Sequence, residues 1–144
     1  MEKDLQALID GLNEDLAHEY SASIMYTYYA AVVTGLYRQT LKPFFQEEIA
    51  DEQGHALYLA EKIRTLGGTP TTTPKEVEQI TDVKQMLEAA YEAEKDTIAR
   101  YETRKKQAES LGYTELVVKL DDMIADETNH MEEIGRILKD QHFA

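Results

Sequence analysis

The sequence predicts an all-α fold: a four-helix bundle made of two antiparallel hairpins joined by a long crossover. Three observations carry this. Apolar residues recur at helical spacing over four stretches, about residues 4–34, 42–66, 82–110 and 114–139. Turn signals separate them. A pattern of glutamate, tyrosine and histidine occurs once in each half of the chain, at the same spacing both times.

The first helix carries Leu5, Leu8, Ile9, Leu12, Leu16, Ser23, Tyr26, Ala30 and Val33 on one stripe, and Glu19 falls on that stripe. An ionised glutamate is rarely buried unless it is paired or metal-bound. Thr34-Gly35-Leu36-Tyr37 reads as the turn. The second helix is expected to start near Leu41-Lys42-Pro43, with the proline in its first turn. Its inner face holds Phe45, Ile49, Glu52, Ala56, Leu59, Ile63 and Leu66, and Gly67-Gly68-Thr69-Pro70 ends it. From Gly67 to about Ile80 there is no apolar periodicity, so this is the crossover. Thr81 or Asp82 can cap the third helix, whose stripe runs Val83, Met86, Leu87, Ala90, Glu94, Thr97, Ile98, Tyr101. Leu111-Gly112-Tyr113-Thr114 is the second turn. The fourth helix presents Leu116, Leu120, Met123, Ile124, Glu127, His130, Met131, Ile134 and Leu138.

Composition sets the class. A chain of 144 residues, 42% of them hydrophobic, is read as one domain, 1–144, with a substantial core. It has no cysteine, which excludes disulfides, thiolate metal sites and iron–sulfur clusters and suits a reducing cytoplasm. The charged N-terminus lacks a signal-peptide core, and no run is long enough for a membrane span. A net charge of −13 without a basic arm repels phosphate backbones, so nucleic acid is not an expected partner. The same charge attracts cations.

The chemistry lies in the doubled pattern. Glu52-Gln53-Gly54-His55 and Glu127-Thr128-Asn129-His130 are both Glu-x-x-His, two residues on one helix face. Glu19 precedes Glu52, and Glu94 precedes Glu127, by 33 residues in both cases. Tyr26 follows Glu19, and Tyr101 follows Glu94, by 7 residues. The midpoint of each glutamate pair falls close to the glycine of its turn, so each glutamate should face its Glu-x-x-His across its hairpin. If both turns lie at one end, all six groups converge in one layer. Four carboxylates and two imidazoles suit two divalent ions and balance their charge. Zinc prefers fewer, tetrahedral ligands, so iron or manganese fits better. Tyr26 is a candidate donor to a ligand carboxylate. His18 and His142 read as surface residues.

On these motifs the chain resembles the ferritin-like di-iron carboxylate proteins over roughly residues 4–139. It is most similar to their bacterioferritin branch. The resemblance implies that Glu19 and Glu94 are terminal ligands, Glu52 and Glu127 bridge, and His55 and His130 cap one iron each. It implies a ferroxidase that oxidises Fe(II) with dioxygen or peroxide, holds two irons per chain and assembles as a homo-oligomer. Tyr26 matches the tyrosine beside that site, and residues 61–70 resemble the second helix's exit. Glu47 and Asp51 map to an inner-surface iron site of some relatives. Two departures matter. Gln53 stands where bacterioferritins place the haem-ligand methionine, which argues against haem. The chain ends 14 residues after His130, with no fifth helix, which points to a smaller shell, such as a dodecamer, or to a dimer. Rubrerythrin-type peroxide scavengers share the six ligands but carry a further glutamate where this chain has Thr97, and they usually add a cysteine-rich domain. A metal-free helical bundle is the remaining alternative.

Overall fold

The computed structural model describes residues 2–144. Four helices carry the chain: α1 (Glu2–Val32), α2 (Arg38–Thr65), α3 (Val83–Ser110) and α4 (Thr114–Leu138). Among the described residues there is no strand, and no helix is long and apolar enough to cross a membrane. α1 packs along α2 and α3 along α4, and α1 also lies close against α3. Few backbone positions of α2 approach α4, and that gap is spanned by side chains.

The turns come where expected, with one shift. α2 begins four residues before its expected start, so Pro43 lies inside the helix rather than in its first turn. The cause is local. The Thr40 and Leu41 amides donate to the Tyr37 carbonyl, opening the helix ahead of the proline. The Arg38 guanidinium then donates to the carbonyls of Ala30, Ala31 and Val33, satisfying the bare end of α1. Gly35 and Gly112, at φ of 90° and 79°, take the left-handed conformation that reverses the chain in the two turns. Asp82 caps α3 by accepting from the Gln85 amide.

The core comes in two apolar clusters. One joins Leu8, Leu12, Leu16, Leu59, Ile63, Ala108, Leu116 and Leu120. The other joins Met25, Tyr29, Val33, Leu41, Phe45, Met86, Leu87 and Ile134. The order of these residues fixes the direction of each helix. α1 and α4 run from the first cluster to the second, and α2 and α3 run back. The two hairpin turns therefore lie at opposite ends of the bundle, not at one end. The crossover makes this possible, since about 16 extended residues span the roughly 40 Å length of such a helix. It runs along α1, pinned by Asn13 to Thr69 and Thr71, by Ser21 to the Lys75 carbonyl, and by the Lys75–Glu14 ion pair. The ligand layer forms all the same, because each glutamate sits near the middle of its helix.

Two features are absent from the sequence reading. A short 3-10 turn, Gln141–Phe143, folds Phe143 onto Tyr37, whose hydroxyl donates to Asp140 at 2.8 Å. Deep in the first cluster, Asp15 of α1 pairs with Arg104 of α3 at 2.7 Å. Gly11 makes room for that arginine: a β-carbon there would collide with the guanidinium. Burial pushes Asp15 up more strongly than Arg104 and Arg100 bring it down. Arg104→Met should therefore cost about 3 kcal/mol at neutral pH, because it strands a buried carboxylate. The loss should shrink as falling pH lets Asp15 take a proton, and thermal unfolding of both proteins at pH 7 and pH 5 checks this.

Candidate metal centre

Between the two apolar clusters lies a polar layer. Glu19, Glu52, Glu94 and Glu127 are each at most 3% exposed and His55 is 7% exposed. His130 is half-buried. The side chains form two groups, each with its ligand atoms within 4.8 Å of one another: Glu19, Glu52, His55 and Glu127, and Glu48, Glu52, Glu94 and His130. The structure thus gathers all six residues singled out from the doubled pattern. Glu52 belongs to both groups. Glu127 reaches both sides, with one oxygen 3.1 Å from His55 Nδ1 and the other 4.0 Å from His130 Nδ1.

Each residue is held from behind. Tyr26 donates to Oε1 of Glu94 at 2.6 Å, and Tyr101 donates to Oε1 of Glu19. These bonds cross between α1 and α3, so each tyrosine serves the glutamate of the other hairpin. Burial, with the negative charge nearby, pushes both phenols well above their usual range, so they remain donors. Asp126 lies 3.2 Å from His55 Nε2, and Asp51 lies 3.0 Å from His130 Nε2. With Nε2 engaged outward, each Nδ1 points into the layer. Asp51 is thus a partner of His130, while Glu47 is exposed to solvent. Gln53 is exposed, and the Thr97 hydroxyl is taken by the Ala93 carbonyl. His18 pairs with Glu14 and His142 is exposed, so neither reaches the layer.

Two contributors are missing from the sequence reading. Ile49, on the apolar stripe of α2, is only half-buried, while its neighbour Glu48 is 3% exposed and takes the inward position. The signal was its place one helical turn before Glu52 on the same face. An apolar residue at 49 drew the stripe one position too far. Asp126 also carried a signal, since an aspartate directly precedes both Glu-x-x-His motifs.

The layer fits a pair of cations. Glu19 Oε2, Glu48 Oε2, Glu52 Oε1, His55 Nδ1, Glu94 Oε2, Glu127 Oε1 and His130 Nδ1 are buried and make no hydrogen bond. Several nevertheless approach closely, as His130 Nδ1 does Glu48 Oε2 at 2.7 Å. These are ion-pair distances, so a proton on the imidazole or a cation between the groups can occupy the same space. In Glu19 and Glu94, one oxygen takes a tyrosine and the other stays free for a cation.

Protons compete for the same atoms. Burial would lower His55, but Glu127, Glu19 and Asp126 outweigh it and push the imidazole up to about 9. Burial likewise opposes, and Glu48, Glu127 and Asp51 overcome it, to push His130 up to about 9. Burial and neighbouring charge raise Glu52, and burial raises Glu127 against the pull of His55. A histidine raised above its unfolded 6.5 stabilises the fold fully below that pH, and the benefit is lost as pH climbs to about 9. The raised carboxyls act in the same direction from lower pH upward. The melting temperature of metal-free protein should fall between pH 6.5 and 9, and the gain on adding Mn(II) should grow over that range. A flat profile in both conditions would contradict this balance.

Comparison with known proteins agrees with the geometry. The ferritin-like domain family matches residues 9–142. A ferritin-like di-iron carboxylate protein from Bacillus anthracis is 68% identical, with 96% of this chain and 100% of that one covered at a TM-score of 0.95. A dodecameric thioferritin from Bacteroides fragilis, described as bacterioferritin-related, is 26% identical, with 93% and 85% covered and a TM-score of 0.85. The Desulfovibrio desulfuricans bacterioferritin, described with a di-iron site, is 26% identical, with 94% and 80% covered and a TM-score of 0.80. No curated protein sequence matches the chain.

Proposed function

The chain belongs to the ferritin-like domain family, and from that premise we propose that it is a di-iron ferroxidase. Its substrate is Fe(II), two ions per chain, bound by Glu19, Glu52, His55, Glu94, Glu127 and His130 together with Glu48. Each ferrous ion gives up one electron. Dioxygen takes both electrons with two protons and leaves as hydrogen peroxide, or hydrogen peroxide takes both with two protons and becomes two waters. The ferric product is stored or passed on. Manganese suits the same mixed oxygen and nitrogen donors.

One observation carries this reading: seven buried ligand atoms, drawn from all four helices, converge without hydrogen-bond partners. Burying carboxylates costs several kcal/mol each unless a cation or proton offsets it. The rest of the chain serves the same end. Tyr26 and Tyr101 hold the free oxygens of Glu94 and Glu19 inward. Asp126 and Asp51 set the imidazoles. The apolar clusters on either side keep bulk water out, which strengthens the hold of carboxylate on cation. The surplus of negative charge over the surface draws Fe(II) toward the protein.

Aerobic addition of Fe(II) should give rapid ferric absorbance, and ferric iron far beyond the capacity of the layer should co-elute with the protein. Iron held at the capacity of the layer while peroxide is consumed would instead identify a scavenger without storage. Glu127→Ala and His55→Ala should each slow oxidation at least about 100-fold, by removing a ligand rather than its support. Unchanged rates and metal content in both variants would remove the basis of the proposal.

The same reading extends to assembly as a homo-oligomer, with a dodecameric shell as its larger form and a dimer as its smallest. The outer face of α1 and α2 supports it. Ile24 and Leu57 are 47% and 62% exposed there, beside an open groove of about 590 Å³ lined by Tyr20, Ala56, Ala60 and Pro74. Large exposed apolar patches mark contact surfaces, and the Bacteroides fragilis relative is dodecameric. Leu57→Glu should reduce the native mass by at least half in sedimentation, with the helical content retained. An undiminished mass would place the contact elsewhere.

A further inference from the structure

We propose that Glu48 makes the two cation positions unequal, so that the position it shares with Glu52, Glu94 and His130 takes a divalent cation first and holds it more tightly. The inference rests on the metal-binding reading above and deepens it.

The layer is close to two-fold in its plan. Glu19 matches Glu94, Glu52 matches Glu127, and His55 matches His130. Tyr101 and Tyr26 support the terminal glutamates, and Asp126 and Asp51 support the imidazoles. Glu48 breaks this plan. It stands four residues before Glu52, and the residue four before Glu127 is Met123, an apolar side chain 1% exposed in the first apolar cluster. Nothing opposite Glu48 repeats it.

The difference is one carboxylate in contact with one position only. Glu52 belongs to both groups, and Glu127, grouped with His55, reaches toward His130 Nδ1 with its second oxygen at 4.0 Å. The position beside His55 has Glu19 to itself, and the position beside His130 has both Glu48 and Glu94. Glu48 is as buried as the matched ligands, and its Oε2 lies 2.7 Å from His130 Nδ1 with no hydrogen bond. In a water-poor layer an added anion in direct contact strengthens cation binding far more than it would at the surface. It also takes up coordination space. An ion with six oxygen and nitrogen ligands is more nearly enclosed on the Glu48 side and keeps more open places on the His55 side. The five carboxylates exceed the charge of two divalent ions by one and fall short of two trivalent ions by one. Glu48 therefore sets the layer midway between the ferrous and ferric states, where four carboxylates would favour the ferrous pair alone.

Anaerobic titration of the intact protein with Co(II), followed by calorimetry and by cobalt absorption, tests this. The wild type should show two resolved steps whose affinities differ by about 10–100-fold. In Glu48→Gln the tight step should weaken by that factor and merge with the second, with the total uptake unchanged. Met123→Glu, which supplies the matching carboxylate, should merge the steps from the other side by tightening the weak one. Glu88→Gln, on the solvent face of α3, should leave the titration as it was. Two equal steps in the wild type, or an unchanged separation in Glu48→Gln, would overturn the inference while leaving the metal-binding reading intact. No cobalt uptake by the wild type would overturn both.

Discussion

The controlling constraint in this bundle is the burial of five carboxylates in one layer. Glu19, Glu48, Glu52, Glu94 and Glu127 are each at most 3% exposed. Left ionised and unpaired, they would repel one another across a medium that screens poorly. Two imidazoles, two phenols and the protons taken up at raised pKa values offset part of that repulsion. Apolar contacts on both sides supply the rest, at about 1.5–3 kcal/mol for each fully buried large side chain. The interior is therefore a compromise: two clusters that favour the fold enclose a layer of like charge that opposes it.

Much of this was legible in the sequence because the two periodicities agreed. Apolar residues marked the inner faces, and glutamates fell on the same faces at matched distances from the turns. That agreement picked out Glu19, Glu52, His55, Glu94, Glu127 and His130 as one cluster. What escaped was polar and buried on other grounds. Glu48 and Asp15 sit on inner faces, where a hydrophobic stripe does not register them. The end-to-end arrangement of the hairpins also escaped, because apolar periodicity carries no direction along a helix axis. The length of the crossover held that information, since a link that spans a whole helix is needed only when the turns lie at opposite ends. The earlier start of α2, opened by amides donating to the Tyr37 carbonyl, and the Arg38 side chain that reaches back to cap α1 involve polar bonds that no pattern of hydrophobicity encodes.

The supports behind the ligands bind the two hairpins to each other. Tyr26 and Tyr101 cross between α1 and α3, and Asp51 and Asp126 cross between α2 and α4. No ligand is both supplied and steadied by the same hairpin in these contacts. A hairpin alone would therefore present carboxylates and imidazoles without their positioning groups, and with its inner face open to water.

The crossover does more than connect. Thr72 and Pro74 form part of the wall of the apolar groove on the outer face of α1 and α2. That wall exists only once the segment is laid along α1 by Asn13, Ser21 and Glu14. A chain with its helices formed but its long link still loose offers an incomplete surface. Anything that docked in that groove would recognise finished topology rather than helix content.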